Sequence, residues 1–333
     1  MNVTIKDVAE RAGVSIATVS KYLNGGHLRE KYRSRVEEAV SALDYKVNEV
    51  ARNLKKQRTF LIGVLTPGIA CSYNAQVATA IQACLLSRGY TALILDYRNN
   101  GETEEKLLDV LIRWHVDGVL LMPCLNEGNI ARKARRYGIP LVLVDSVIFG
   151  EECDCVVTDN YASSYAAVKH MISMGHTRIA ALTGEDVLYT PIERKKGYED
   201  AMREAGLTPY SVFGHFTSGC AHEATLRIMR EKDPPTALFS TNANMTLGML
   251  AALRELKLAV PEDVSVAVYD EIELEPVLPV QLSTIRQPTE PIAAAAVQLI
   301  LDRIENGGEK DCRMITIRND VSYTESVRPL KHN

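Results

Sequence analysis

Several signatures that would mark an enzyme are missing from this 333-residue chain. No Gly-x-Gly-x-x-Gly follows the first apolar run, no Gly-Lys-Ser/Thr phosphate loop occurs, and no Ser sits in a nucleophile elbow. The 7 Cys are scattered. Cys153 and Cys155 are the only close pair, their spacing is not a usual zinc spacing, and no His lies nearby. They read as free or buried thiols of a reducing cytosol. The chain shows no apolar run after its first Met, and no stretch approaches the ~20 apolar residues of a membrane span. These absences disfavour dinucleotide, phosphate-transfer, acyl-transfer and metal chemistry, and they predict no catalytic residue, no metal and no cofactor. They also place the chain in the cytoplasm, away from membranes.

What is present is an ordinary soluble composition, 46% hydrophobic and 24% charged, with an uneven charge distribution. Residues 1–58 hold 12 Lys+Arg against 7 Asp+Glu, whereas the remainder holds 26 against 35. A basic head on an acidic body suggests that the head alone meets a polyanion.

Within the head, Thr4 followed by Asp7 has the form of a capping box. Ile5, Val8, Ala9 and Ala12 recur at helical spacing, and Gly13 suits a left-handed stop. Ser15 can cap a second helix with Val19, Tyr22 and Leu23 inward, ended by Asn24-Gly25-Gly26. A third helix over 30–43 closes the core with Val36, Ala39, Val40 and Leu43. Helix, short Gly-containing turn, helix is the helix-turn-helix unit. A protein-binding bundle is the other reading, and the positive charge favours DNA.

A recognition helix enters the major groove N-terminus first, which brings Ser15, Ile16, Ala17, Thr18 and Lys21 nearest the duplex. Ile16 and Ala17 can read only shape and thymine methyls. Lys21 can donate to a guanine or rest on a phosphate, and Thr18 and Ser20 suit phosphates or intrahelical bonds. Next comes 48–58, where Val47, Val50, Ala51 and Leu54 form a narrow apolar stripe and Arg52, Lys55, Lys56 and Arg58 crowd the rest. So short a helix is marginal alone. It is either a linker packed between domains or a hinge that orders on DNA and wedges Leu54 between base pairs.

The body alternates short apolar runs with amphipathic stretches. Strands are expected at 61–65, 92–96, 118–122, 141–145, 156–158, 179–183, 237–241 and 264–269. Helices are expected at 75–87, 102–114, 128–137, 191–205, 219–230 and 245–256. Such alternation predicts an α/β fold of two doubly wound parallel sheets, with a ligand cleft at the C-terminal ends of their strands. Trp114 reads as a core residue ending a helix, and His176 as a non-catalytic residue following a helix stop at Gly175.

The stretches Thr4–Ser15 and Thr18–Asn24 resemble the head of the LacI/GalR family of bacterial transcription regulators, and Asn48-x-Val50-Ala51-Arg52-x-Leu54 resembles that family's hinge helix. Asp117–Leu121, Asp159-Asn160, Gly175-His176-x-Arg178-Ile179-Ala180, Glu193-Arg194-x-x-Gly197-Tyr198, Pro261–Val266 and Leu282–Pro288 resemble landmarks of its body. The resemblance implies a head at 1–47, a hinge at 48–58 and a two-subdomain, periplasmic-binding-protein-like body at 59–333. One subdomain spans about 59–159 and 289–318, the other about 160–288 and 319–333, with crossovers near Asp159, Pro288 and Arg318.

The implied function is sequence-specific DNA-binding regulation, most readily repression. A homodimer would bind double-stranded, palindromic operator DNA under control of a sugar or sugar-derived effector. Thr4, Asn24, Asn48, Ala51, Arg52, Leu54 and Lys55 join the DNA-facing set. Tyr73, Asp145, Arg194, Asn242 and Asp270 form the effector set. An Arg beside an Asp suits paired hydroxyls or a carboxylate. Asp145 and Asp270 could instead cap helices, and Arg194 could pair with Glu193 or Glu199. Tyr73 and Tyr189 are candidates to stack on the effector.

The chain departs from the family pattern at Val47, where Pro is common, at 67–73, at Ala243, at Val268 and at Glu271. Lost polar groups put a typical hexose in doubt and open the way to a smaller, less hydroxylated or acidic effector. A transport binding protein would explain the body but leave the head unused, and an enzyme on the doubly wound fold would need the chemistry that is missing.

Overall fold

A computed structural model describes residues 3–23, 25–46, 58–272, 277–307 and 311–330. The chain forms two compact units, Met1–Thr59 and Phe60–Asn333. Asn24 and the whole apolar stripe of the hinge, with Asn48, Ala51, Arg52, Leu54 and Lys55, lie outside the described residues.

The first unit contains α1 (Ile5–Ala12), α2 (Ile16–Leu23) and α3 (Glu30–Ala42). The Asp7 carboxylate accepts from the Thr4 backbone N–H at 2.7 Å and from its hydroxyl at 2.8 Å, closing the N-terminal turn of α1. Gly13 ends that helix at φ 58, a conformation that costs a residue with a Cβ. Val8, Ala9, Ala12, Val19, Val36 and Ala39 form the buried centre, with Tyr22, Leu23, Val40 and Leu43 packed around it.

The second unit carries two six-stranded sheets. Sheet A contains β1 (Leu61–Thr66), β2 (Thr91–Asp96), β3 (Gly118–Leu121), β4 (Leu141–Val144), β5 (Asp154–Thr158) and β11 (Met314–Ile317). Sheet B contains β6 (Ile179–Thr183), β7 (Tyr210–Phe213), β8 (Ala237–Ser240), β9 (Ser265–Tyr269), β10 (Ser283–Arg286) and β12 (Asp320–Ser322). The spatial orders are β11-β5-β4-β3-β1-β2 and β12-β10-β9-β8-β6-β7. Both sheets therefore wind outward from a central strand in the same order. All pairings are parallel except that of β12 with β10.

Helices cover the sheets: α4 (Ser72–Ser87), α5 (Gly101–Arg113), α6 (Asn129–Arg136), α7 (Asn160–Ser173), α8 (Tyr189–Glu204), α9 (Ser218–Met229), α10 (Ala243–Glu255) and α11 (Thr289–Asn306). Sheet A has one apolar cluster on each face, the first beneath α4 and α11, the second beneath α5 and α6. Sheet B is packed in the same way on its two faces. The chain passes between the sheets three times. It leaves β5 for α7 at Asp159, leaves β10 for α11 at Gln287-Pro288, and leaves β11 for β12 at Arg318-Asn319.

Two expectations for single residues have definite outcomes. Trp114 does stand at the end of α5, but it is 54% exposed and no part of the core. The helix has reached its C-cap there, so the ring points beyond the last covered turn. His176 follows the left-handed Gly175 and is 2% exposed. Its ring nitrogens meet Thr236 Oγ1, Ser265 Oγ and the Arg328 carbonyl at 2.9 to 3.1 Å, a structural knot tying β9 to the C-terminal segment.

Candidate functional site

In the first unit, Ser15 accepts the Thr18 N–H at 3.2 Å and shares a 2.9 Å hydroxyl contact with Thr18, which caps α2. With Val19 turned inward, Ser15, Ile16, Ala17 and Lys21 are left exposed. Ile16, a large apolar side chain, is 45% exposed on the first turn of the helix. Thr18 and Ser20 are half-buried, and Thr4 is exposed at the start of α1. The stem of Lys21 lies against Gly26, where an added Cβ would fall 2.6 Å from Lys21 Cγ.

In the second unit, the C-terminal ends of the two sets of strands face each other. Asp145 directly follows β4 and Asp270 directly follows β9, the corresponding strands of the two sheets. Both have left-handed backbones, φ 61 and φ 65, which turn their side chains off the strand. Neither caps a helix. Arg194, on the second turn of α8, is 4% exposed. Its Nε donates to Asn160 Oδ1 at 2.7 Å and its NH1 donates to the Thr241 carbonyl at 2.8 Å. Its guanidinium stacks 3.8 Å from the centre of the Tyr269 ring. Glu199, one of its expected partners, pairs with Arg203 instead.

The two aspartates differ in their hydrogen bonding. Asp270 Oδ1 accepts from Gln287 Nε2 at 2.7 Å, and Gln287 Oε1 in turn accepts from the Thr158 hydroxyl at 3.2 Å. Asp145 Oδ1 is buried with no hydrogen-bond partner among the described residues, and so is the hydroxyl of Tyr73. Burial pushes the Asp145 carboxyl up to about 6; Arg194 pulls it back and the charge of Asp270 adds to the rise. The Tyr73 hydroxyl is pushed far up by burial and by the same two carboxylates. The two groups lie near enough that a side-chain hydrogen bond between them lowers the Asp145 carboxyl and raises the Tyr73 hydroxyl slightly, yet neither Asp145 Oδ1 nor the Tyr73 hydroxyl has a partner at full hydrogen-bonding geometry among the described residues.

The Tyr73 ring belongs to the core cluster beneath α4. It offers its hydroxyl to the cleft and has no free face for stacking. Tyr189 does lie at the cleft, its ring tilted against Phe149 at 6.4 Å. Asn242 caps α10, its Oδ1 accepting the N–H groups of Asn244 and Met245. A cavity of about 290 Å³ is lined by Tyr73, Gln76, Asp270, Arg286 and Gln287; of the five expected effector residues it brings together Tyr73 and Asp270, while Asp145, Arg194 and Asn242 are not in its lining.

Four further residues belong to this constellation. Asn160 and Thr241 hold Arg194, Gln287 holds Asp270, and the Thr190 hydroxyl donates to the Asp145 carbonyl across the cleft. All four come directly after a strand or at the first turn of a helix. That position was the available signal, but uncharged side chains in loops carry no periodicity to single them out.

Residues 4–48 match the model of bacterial regulatory proteins of the lacI family, and residues 168–327 match that of a periplasmic binding protein-like domain. The HTH-type transcriptional repressor PurR of Histophilus somni (strain 2336) is 32% identical over 332 residues, covering 98% of this chain and 99% of that protein. PurR of Aliivibrio fischeri (strain ATCC 700601 / ES114) is 34% identical over 331 residues, covering 97% and 98%. Among solved structures, the lac repressor dimer bound to operator and the anti-inducer ONPF superposes with TM-score 0.89 at 26% identity, covering 98% of this chain and all of that one. The complex of the regulator CelR with cellobiose gives 0.75 at 26% identity, covering 97% and 99%. With a helix-turn-helix head and a cleft between two doubly wound sheets, the chain belongs to the lacI family of bacterial regulatory proteins and is a DNA-binding transcription repressor that binds a small-molecule effector.

Proposed function

We propose that the effector is a neutral, hydroxyl-bearing molecule, a sugar or a sugar derivative, held in the cleft by Asp145, Asp270, Arg194 and Tyr73, with Asn242 at its edge. The observation that carries this reading is the pair of orphaned atoms, Asp145 Oδ1 and the Tyr73 hydroxyl. A buried acceptor without a donor is costly, and a ligand that supplies one removes that cost. A hydroxyl can donate to Asp145 and accept from Tyr73 at once. An acidic effector would add a third negative charge beside Asp145 and Asp270, against two guanidinium groups that are already engaged, Arg194 with Asn160 and Thr241 and Arg286 with Glu271.

On the DNA side, a homodimer presents two α2 helices to the half-sites of a palindromic operator. Ser15, Ile16, Ala17 and Lys21 face the major groove, with Thr4, Thr18, Ser20 and Asn24 near the phosphates. The stretch 48–58 serves as the hinge, with Asn48, Ala51, Arg52, Leu54 and Lys55 at the minor groove. The lobes 59–159 with 289–318 and 160–288 with 319–333 close on the effector. Their relative rotation shifts the operator-competent population. The lac repressor dimer bound to operator, and CelR bound to cellobiose, are the solved relatives that support this reading.

The test is a thermal-shift screen of neutral sugars, sugar acids and sugar phosphates, followed by operator titration with each hit. A ligand specific for the folded state raises the melting temperature. A neutral sugar is expected to do so and to change operator affinity. If only acids or phosphates act, the neutral-effector reading fails.

A further inference from the structure

Three of the seven cysteines meet at one edge of sheet A. Strands β5 and β11 run parallel, with Cys155 opposite Met314, and the Cys155 N–H donates to the Arg313 carbonyl at 2.9 Å. Side chains alternate along an extended chain, so Cys153 shares a face with Cys155, and Cys312 shares a face with Met314. Opposed residues of paired strands project to the same face; the ladder begins at Cys155 and Met314, the Arg313 N–H turns to the Asp154 carboxylate at 2.8 Å, and Cys153 and Cys312 lie two residues before the first opposed pair, one on each strand. Asp154 confirms the alternation. It points to the other face, where Arg303 of α11 takes both of its carboxylate oxygens at 2.8 Å.

Neighbouring strands lie about 4.8 Å apart, inside the range of Cα separations that a disulfide spans. The thiols also sense one another, since a charge on Cys312 raises the pKa of both Cys153 and Cys155. Among the described residues no three His, Cys, Asp or Glu side chains are arranged to hold a metal. Cys155 is buried beneath α5 and α6, Cys153 is half-buried at their margin, and Cys312 is exposed.

We propose that Cys153 and Cys312 are a redox pair that closes to a disulfide under a peroxide oxidant. The two thiols lose two protons and two electrons to one hydrogen peroxide, whose O–O bond breaks to give two waters as the S–S bond forms. Burial holds the Cys153 thiol up at about 11 and also raises Cys312, so the thiolate fraction is small and closure is slow. The pair answers sustained oxidation and ignores brief pulses. Its product ties the edge strand β11 to β5, the two strands that feed the crossovers at Asp159 and Asn319. Those crossovers are already joined by the Asn319 N–H donating to Asp159 Oδ1 at 2.8 Å.

The test treats the full-length protein with hydrogen peroxide, blocks free thiols with iodoacetamide and maps linked peptides by mass spectrometry without reduction. A Cys153–Cys312 link is expected in the wild type and in Cys155→Ser, and none in Cys312→Ser. The oxidised wild type should melt several degrees higher than the reduced form, with the gain reversed by dithiothreitol, because a cross-link between residues far apart in sequence restricts the unfolded chain. Both thiols remaining open to iodoacetamide, Cys312 linked to Cys155, or Cys312 linked to a second chain would each overturn the proposal.

Discussion

The two sheets of the second unit share one winding order and place an aspartate at the same point, after β4 in sheet A and after β9 in sheet B. Asp270 is satisfied by Gln287, whereas Asp145 keeps an oxygen without a partner and carries a carboxyl raised to about 6. The same backbone position thus holds one finished contact and one unfinished contact. A cleft built this way has one rigid jaw and one jaw whose electrostatics are completed by what enters.

The largest expected effect comes from the buried cation of the sheet B lobe, whose charge is felt by Asp145 of the sheet A lobe. Arg194→Ala removes two hydrogen bonds and a ring-stacked cation from a buried site, leaving Asn160 Oδ1 and the Thr241 carbonyl without donors. It should cost about 3 kcal/mol in urea unfolding and abolish the effector response. Operator binding without effector should persist. A fully folded mutant with normal stability and response would break the comparison at its centre.

Next in size is Glu104→Gln. Glu104 is buried in the sheet A lobe, where burial raises its carboxyl to about 7 and the Cys124 N–H at 3.2 Å partly offsets the rise. A folded pKa above the unfolded value means that the stabilising contribution is present below pH 4.5 and is lost as pH rises through 7. The amide analogue avoids that loss. Its stability gain at pH 8 should be on the order of 2 kcal/mol, vanishing near pH 4, as read by denaturant titration at the two pH values. A gain at pH 4 as large as that at pH 8 would contradict the assignment.

The asymmetry between the aspartates then predicts a pH signature. Effector affinity should rise about tenfold between pH 5 and pH 7 as Asp145 deprotonates and becomes a charged, acceptor-only group. For the ligand-free protein the sign is opposite, since the raised Asp145 pKa favours folding at low pH. Asp145→Asn should flatten the affinity profile, whereas Asp270→Asn should lower affinity with the slope retained. Calorimetric titration at several pH values separates the two, and a mirror-image result would mean that the jaws are assigned the wrong way round.

The smallest effect is at the head. Lys21→Ala should weaken operator binding by a few fold and reduce the log–log salt slope by about 0.9 if Lys21 rests on a phosphate. Gly26→Ala should weaken binding at least as much, because its new Cβ would meet both the Lys21 stem at 2.6 Å and the Lys21 carbonyl, which closes the end of α2, at 2.9 Å. Fluorescence anisotropy across a salt series reads both. An unaffected Gly26→Ala would show that the position of the Lys21 stem is irrelevant to binding.

How much of this was legible in the chain depends on what each residue was hidden by. Strand β6 has the bounds its apolar run predicts, because Ile179–Thr183 is buried along its entire length. Strand β7 had no such signature, since it is an edge strand with one fully buried residue, Val212. Helix α11 escaped because it is buried on several sides, with Ile292, Ala293, Ala296, Val297, Leu299, Ile300 and Leu301 all covered, so no single stripe appears. Helix α7 escaped for a different reason: it buries Asn160, Ser163 and Ser164 along with its apolar residues.

At the site, charged residues after strands were readable as candidates. Asn160 and Gln287 stood inside family landmarks, but their holding of Arg194 and Asp270, and the reach of Thr190 to Asp145, became visible only once strands distant in sequence were brought together.

The left-handed backbones at Asp145 and Asp270 carry one more consequence. A non-glycine residue there costs about 1 kcal/mol of backbone strain that glycine would not incur. Selection for heat tolerance alone should therefore drift toward glycine at Asp145, whereas at Asp270 the bond from the buried Gln287 amide offsets that gain, and selection for effector response should hold both aspartates. Descendants evolved under the first regime would be sturdier proteins that no longer listen to their ligand. The identity of these two residues would record which pressure a lineage had lived under.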